Sequence, residues 1–175
     1  MNDVTLLLMI ASMHRQTLHL IAHPTKANWL MMEMNGVYTF SALFPELKDS
    51  EENRAIAADY LLKELKAQIL PDGMHNELSP DYQGVVFHCA WNFCNLAANL
   101  GYEVPEEFKT LIGKTVDAAI RLSTPAFTQP RTNDTYTILT RIFTEDAERL
   151  LGGRPEYLFV NTNRAEGAPP EGETA

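Results

Sequence analysis

Cysteine is scarce in this 175-residue chain, which has only Cys89 and Cys94. They fall five residues apart in one predicted helix. That spacing turns them to different faces, roughly 7–8 Å apart along the axis, beyond easy disulfide reach. Neither has a CxxC or histidine-rich context, so the sequence predicts no zinc site and no cofactor. Basic residues are also few: 14 Lys and Arg stand against 23 Asp and Glu, a formal charge of -9. This excludes nucleic acid or an anionic membrane as a general electrostatic partner. An acidic substrate stays open, because a site can be locally basic or use neutral donors. No apolar run approaches transmembrane length. The opening MNDVTLLLMIASMHRQTLHLIAHP has too short an apolar stretch for an export signal, with an Asp and no Lys or Arg before it. Apolar spacing continued through Leu18 and Ile21 reads instead as a core-facing helix. Nothing strand-like precedes residue 157, and no sequence repeat is visible.

What is present is a globular composition, 45% apolar and 21% charged, at a length that suits one domain. Helical periodicity dominates. Helices are expected over about 3–22, 26–44, 50–70, 80–100, from Pro105 to about Ile120, and 134–151. The third has Ala58, Leu61, Leu62, Leu65 and Ile69 on one stripe. The fourth has Val85, Val86, Cys89, Phe93, Leu96 and Leu100, and the fifth Phe108, Leu111, Ile112, Val116, Ala119 and Ile120. Helix, short link, helix, each apolar on one side, is an array of α/α-hairpins, so the expected fold class is all-α. RPEYLFV is read as a short extended piece, and NTNRAEGAPPEGETA as a mobile tail or linker. The expected division is therefore a helical domain over 1–156 and an extended segment with a linker over 157–175.

One link exceeds ordinary turn chemistry: LPDGMHNELSPDYQG, residues 70–84. Pro71-Asp72-Gly73 is a turn in which Gly supplies positive φ and Asp bonds nearby backbone. Ser79-Pro80-Asp81 reads as an N-cap, a proline at the first helical position and an acid in the first turn. His75, Glu77 and Tyr82 remain. A loop His and Glu are ordinarily solvated. Tyr82, at the start of its helix on the inward side, has a packing role open to it. In NWLMMEMNGVYTF, Leu30, Met34, Val37 and Ser41 share one face, and Asn28, Met31, Met32 and Asn35 another. Methionine abundance there indicates adaptable packing, and Asn28 alone is most simply a cap.

Taken together and in order, these segments resemble the helical domain of the heparinase II/III family of polysaccharide lyases, most closely its heparinase III branch. The resemblance rests on Asn28-Trp29 at a helix start, Phe44-Pro45-Glu46 at a helix end, Asp72-Gly73-Met74, Glu77-Leu78-Ser79-Pro80 with Tyr82, then Asn133-Asp134 and Arg154-Pro155-Glu156. It implies part of an incomplete (α/α) toroid that in the family precedes a β-sandwich domain absent from this sequence. It also implies cleavage of an acidic, uronate-containing polysaccharide, with heparan sulfate first, by β-elimination. On that basis Asn28 is the donor that neutralises the uronate carboxylate, and Tyr82 the acid that protonates the leaving oxygen, with duty as base also open to it for some substrate stereochemistry. Glu77, Gln83, Trp29 and His75 are the substrate-binding candidates. The family's principal catalytic histidine lies after the toroid, and none of His14, His19, His23, His75 or His88 occupies a matching place. Relatives often have His where Gln83 stands here. Family members are periplasmic or secreted, and little activity is expected from this sequence by itself. The alternative reading is a non-catalytic helical module that binds a polysaccharide or a partner chain. A third is a structural domain in which Asn28 and Tyr82 only cap and pack.

Overall fold

The computed structural model describes residues 2–170, and these form seven α-helices. They are α1 (Asp3–Ala22), α2 (Ala27–Leu43), α3 (Ser50–Gln68), α4 (Pro80–Asn99), α5 (Glu106–Arg121), α6 (Arg141–Leu151) and α7 (Pro155–Asn161). The all-α class holds among the described residues, whose only β pairing is two isolated bridges, Ile69 with His75 and Thr128 with Leu139.

The directions of the helices follow from which side chains meet. Gln83 reaches the Thr115 carbonyl while Phe93 stacks on Phe108 at 4.4 Å, so α4 and α5 are antiparallel. Phe87 packs on Phe143 at 5.1 Å and the Trp91 indole donates to the Asp146 carbonyl at 2.9 Å, so α4 and α6 run parallel. Arg54, near the start of α3, lies over the Tyr102 ring just beyond the end of α4, which makes that pair antiparallel. Arg54 also donates to the Ser41 carbonyl near the end of α2, closing the α2–α3 hairpin. Alternate helices thus share a direction, and α2, α4 and α6 all begin at one end of the array.

The core lies between these helices. Tyr38 meets Phe93 edge-on at 4.6 Å. Each aromatic pair of this kind adds about 0.5–1.5 kcal/mol beyond the area it buries. Helix α2 is buried on most of its sides: Leu30, Met31, Met34, Val37, Tyr38, Phe40, Ser41 and Ala42 all lie inside. The second face, with Asn28 and Met31, is thus covered as well as the first, because α2 has α1, α3 and α4 around it. Cys89 and Cys94 are free and buried, and burial pushes their thiols up to about 11 and about 12, so neither is a nucleophile near neutral pH.

Four expectations need correction. Helix α1 is core-facing only at its end: Leu20 and Ile21 pack against the core, whereas Val4, Leu7 and Leu8 are exposed. The sixth helix starts at Arg141 rather than 134. The run TNDTYT is rich in β-branched residues that lose side-chain freedom in a helix, and Asn133 sits at φ +51°. The residues that follow it, 138–140, pair with 127–129, Gln129 N donating to Ile138 O at 2.8 Å. RPEYLFV is helical, not extended. Arg154 is the N-cap, Pro155 holds the first turn, and Tyr157 and Val160, three apart, bury together. The boundary expected at 156 thus falls inside α7. Residues 162–168 also fold back, with Ala168 N donating to Pro155 O at 3.1 Å. The rest of the expected tail, 171–175, lies outside the described residues.

Candidate active site

The end where α2, α4 and α6 begin collects the candidate residues. The link from α3 to α4 is built as the sequence predicts. Asp72 Oδ1 accepts from Met74 N at 3.0 Å, and Gly73 adopts φ +92°. A Cβ on Gly73 would come within 2.1 Å of the Lys114 carbonyl oxygen, so glycine is required for close approach as well as for conformation. Ser79 caps α4, its Oγ lying 3.5 Å from Tyr82 N. The rest of the link is a small hairpin in which Asn76 N donates to Gln68 O at 2.8 Å.

The interior of this link holds two of the substrate-binding candidates. His75 is fully buried: Nε2 lies 3.0 Å from Gln68 Oε1, and Nδ1 accepts from Glu77 N at 3.3 Å. Burial lowers its pKa from the usual histidine value, against a smaller raising effect of Glu77, so the ring is held neutral. Gln83 is likewise buried, donating to Thr115 O at 3.1 Å and accepting from His75 N at 3.4 Å. His75 is thus not solvated, and it and Gln83 lie beneath the surface that carries the other candidates. These side chains spend their polar atoms fastening the loop to α3 and α5, because a buried polar atom left unpaired is costly.

Four candidates remain at the surface or just beneath it. Trp29 is 66% exposed, and Glu77 is exposed with a carboxylate that makes no hydrogen bond among the described residues. Asn28 is not a cap: the N-cap of α2 is Lys26, without a side-chain bond, and Asn28 sits in the first turn. It is 7% exposed, and its amide makes no hydrogen bond among the described residues. The preceding Ala27 is held at φ +54°, a costly conformation for a residue with a Cβ. Asn92 on α4 donates to Asn35 on α2 at 2.7 Å. Seven residues back from each reaches Asn28 and Val85, so Asn28 is level with the helical turn that follows Tyr82.

Tyr82 is half-buried and donates its hydroxyl to Asp134 Oδ2 at 3.1 Å. That bond and the charge of Asp134 raise the phenol pKa above the ordinary value, with Glu77 and Asp81 pushing the same way. Asp134 belongs to a strap, residues 131–136, laid across the start of α4. Ser79 Oγ donates to Asp134 O at 2.9 Å, and Asn133 Nδ2 donates to the Glu77 and Leu78 carbonyls at 3.1 Å each. Thr132 Oγ1 adds a bond to Leu78 O at 3.2 Å. The sequence reading, having assigned 134–151 to a helix, missed this strap. The signal that could have revealed it is the β-branched content of TNDTYT. Beside Tyr82 an open groove of ≈ 480 Å³ runs between α4 and residues 137–142, lined by Asp81, Gly84, Val85 and His88. A second recess, at Asp117, Arg121 and Arg154, contains none of the candidates and holds the Arg154–Asp117 ion pair at 2.7 Å.

Among the described residues, no group of three or more His, Cys, Asp or Glu could hold a metal ion. No helix is long and apolar enough to cross a membrane. Chemically, the surface offers one unengaged amide donor, one protonated phenol, one exposed indole and several carboxylates.

The Heparinase II/III N-terminus family matches residues 1–151. A curated relative, the heparin-sulfate lyase of Pedobacter heparinus, is 30% identical over 129 residues, which are 71% of this chain and 19% of that protein. Among solved structures, a heparinase III superposes with a TM-score of 0.82 at 21% identity, over 91% of this chain and 27% of its own. The heparan sulfate lyase HepC of Pedobacter heparinus gives 0.78 at 23% identity, over 95% and 27%. These structures show the fold: the helical array matches about a quarter of each. The chain spans about a fifth of the curated relative and about a quarter of the solved ones.

Proposed function

This chain belongs to the heparinase II/III family, and from that premise we propose that it supplies one wall of a polysaccharide lyase cleft. The substrate is a uronate-containing glycosaminoglycan, heparan sulfate first. The carrying observation is that Asn28 and Tyr82 start parallel helices at one end of the array, one with an unengaged amide and the other with a protonated phenol.

β-Elimination needs the C5 proton of the uronate made acidic, a base to take it, and an acid for the leaving oxygen. The Asn28 amide donates to the uronate carboxylate, a charge-assisted bond that counts for more as enolate charge develops. A neutral donor also suits a face that carries Glu77, Asp81 and Asp134. Tyr82 protonates the glycosidic oxygen; its raised pKa favours the acid's duty over the base's. Trp29 offers a flat apolar surface for a sugar ring, and Glu77 a hydrogen-bond acceptor for a sugar hydroxyl. The base comes from a β-sandwich domain that closes the cleft from the other side, and the complete enzyme works in the periplasm or outside the cell.

A chimera tests this reading: the chain replaces the matching segment of the Pedobacter heparinus lyase and is incubated with heparan sulfate. Release of unsaturated uronate, read by ultraviolet absorbance, is the expected result. A folded chimera that binds heparan sulfate without cleaving it would favour the non-catalytic binding module instead.

A further inference from the structure

Resting on the reading of Tyr82 as proton donor, we propose that Asp134 is a positioning residue for that step, holding the Tyr82 hydroxyl in place and in its donor form until substrate arrives. Nothing in the resemblance gives Asp134 this role; the geometry does. Its Oδ2 accepts the phenol hydrogen bond at 3.1 Å across 52 residues of sequence.

Asp134 is itself fixed. Its carbonyl accepts from Ser79 Oγ, the cap of the helix that bears Tyr82, and the neighbouring Thr135 hydroxyl lies 2.9 Å from the same Oγ. Asn133 and Thr132 bind the carbonyls of Glu77 and Leu78 just before that cap. On the two sides of this junction Leu78 and Asn133 sit at φ +54° and +51°. A non-glycine residue keeps that conformation only where its surroundings enforce it. Strap and cap therefore form one fastened unit, and the Asp134 carboxylate is presented to the phenol by a framework rather than by a free side chain.

The groups facing the phenol are Asp134 on the strap, Glu77 on the preceding link and Asp81 on the same helix, all carboxylates. Each disfavours a tyrosinate. In the reaction the Tyr82 Oη–H bond breaks and its proton passes to the glycosidic oxygen, which leaves with the electron pair of the C4–O bond. The separate base takes the C5 proton, and the electron pair of that C5–H bond becomes the second bond between C4 and C5. The tyrosinate left behind faces three carboxylates and regains a proton from solvent, which resets the donor. The same surroundings favour the protonated form of Tyr82, the form in which it serves as the acid.

The test is the ionisation of Tyr82 in this chain, followed by NMR with ring-labelled tyrosine and assigned by the signal lost in Tyr82→Phe. Asp134→Asn removes the charge and is expected to lower the Tyr82 pKa, while Asp134→Glu keeps it near that of the unmodified chain. Asp134→Ser, which also removes the charge, gives the same lowering if Asp134→Asn folds poorly. An unchanged pKa in the folded charge-removing variants overturns the role given to Asp134. In the chimera, the alkaline limb of the pH–rate profile is expected to move to lower pH in Asp134→Asn. A lowered NMR pKa with an unmoved limb would overturn the donor reading of Tyr82 on which this inference rests.

Discussion

Replacing Gly73 with alanine tests the part of the fold that presents Tyr82. Two costs follow from the structure. Left-handed backbone at φ +92° costs a residue with a Cβ about 1–2 kcal/mol. The added Cβ also meets the Lys114 carbonyl oxygen at 2.1 Å and its carbon at 2.7 Å. Those are backbone atoms inside α5, so the link must yield, and overpacking of this kind costs about 1–3 kcal/mol. Moving the link loosens the Arg121 bond to Asp72 O at 2.8 Å and the buried contacts of His75. The expected total is about 2–5 kcal/mol. Gly101→Ala is the internal control, because Gly101 has φ +76° and no atom within 4 Å of its Cβ position. It carries only the conformational cost, about 1–2 kcal/mol. Urea unfolding followed by circular dichroism gives both values from the shift in midpoint at constant slope. Equal losses for the two variants would refute the close approach of the link to α5, and with it the account of how Tyr82 is placed.

Two further outcomes follow from the same region. His75 has its pKa lowered by burial, so its contribution is present above the ordinary histidine value of 6.5 and is lost as pH falls below it. Unfolding midpoints compared at pH 7.5 and 5.5 should therefore drop more in the unmodified chain than in His75→Gln; equal drops would contradict a buried neutral ring. Gln83→Leu removes the extra bond to Thr115 O, which keeps its helical partner, and leaves buried His75 N without one, an expected cost of about 1–3 kcal/mol in the same assay. A neutral effect would contradict the fastening role of Gln83.

The helices were legible because stripes such as Leu61, Leu65 and Ile69, or Phe108, Ile112 and Val116, depend only on a 3.6-residue period. The Asp72-Gly73 turn and the Ser79-Pro80 cap were legible because their chemistry is local. What the sequence hid depends on partners distant along the chain. Glu77 and His75 look alike as polar loop residues, yet one is exposed and the other sealed by Gln68 and Gln83. The strap over Tyr82 was hidden because tertiary bonds from Ser79 and Asp81 outweigh the weak helical preference of TNDTYT. Asn28 taken alone reads as a cap because helix starts favour asparagine. Here the chain enters through a strained Ala27 instead, and the amide is left free.

The central claim is that Asn28 and Tyr82 together form this chain's share of a lyase active site. The direct measurement is eliminase activity of the chimera on heparan sulfate with Asn28→Ala and Tyr82→Phe, each confirmed as folded. Loss of a transition-state donor or of a general acid lowers kcat by about 100-fold or more, and each variant is expected to show that loss. Substantial activity surviving in both would contradict the account.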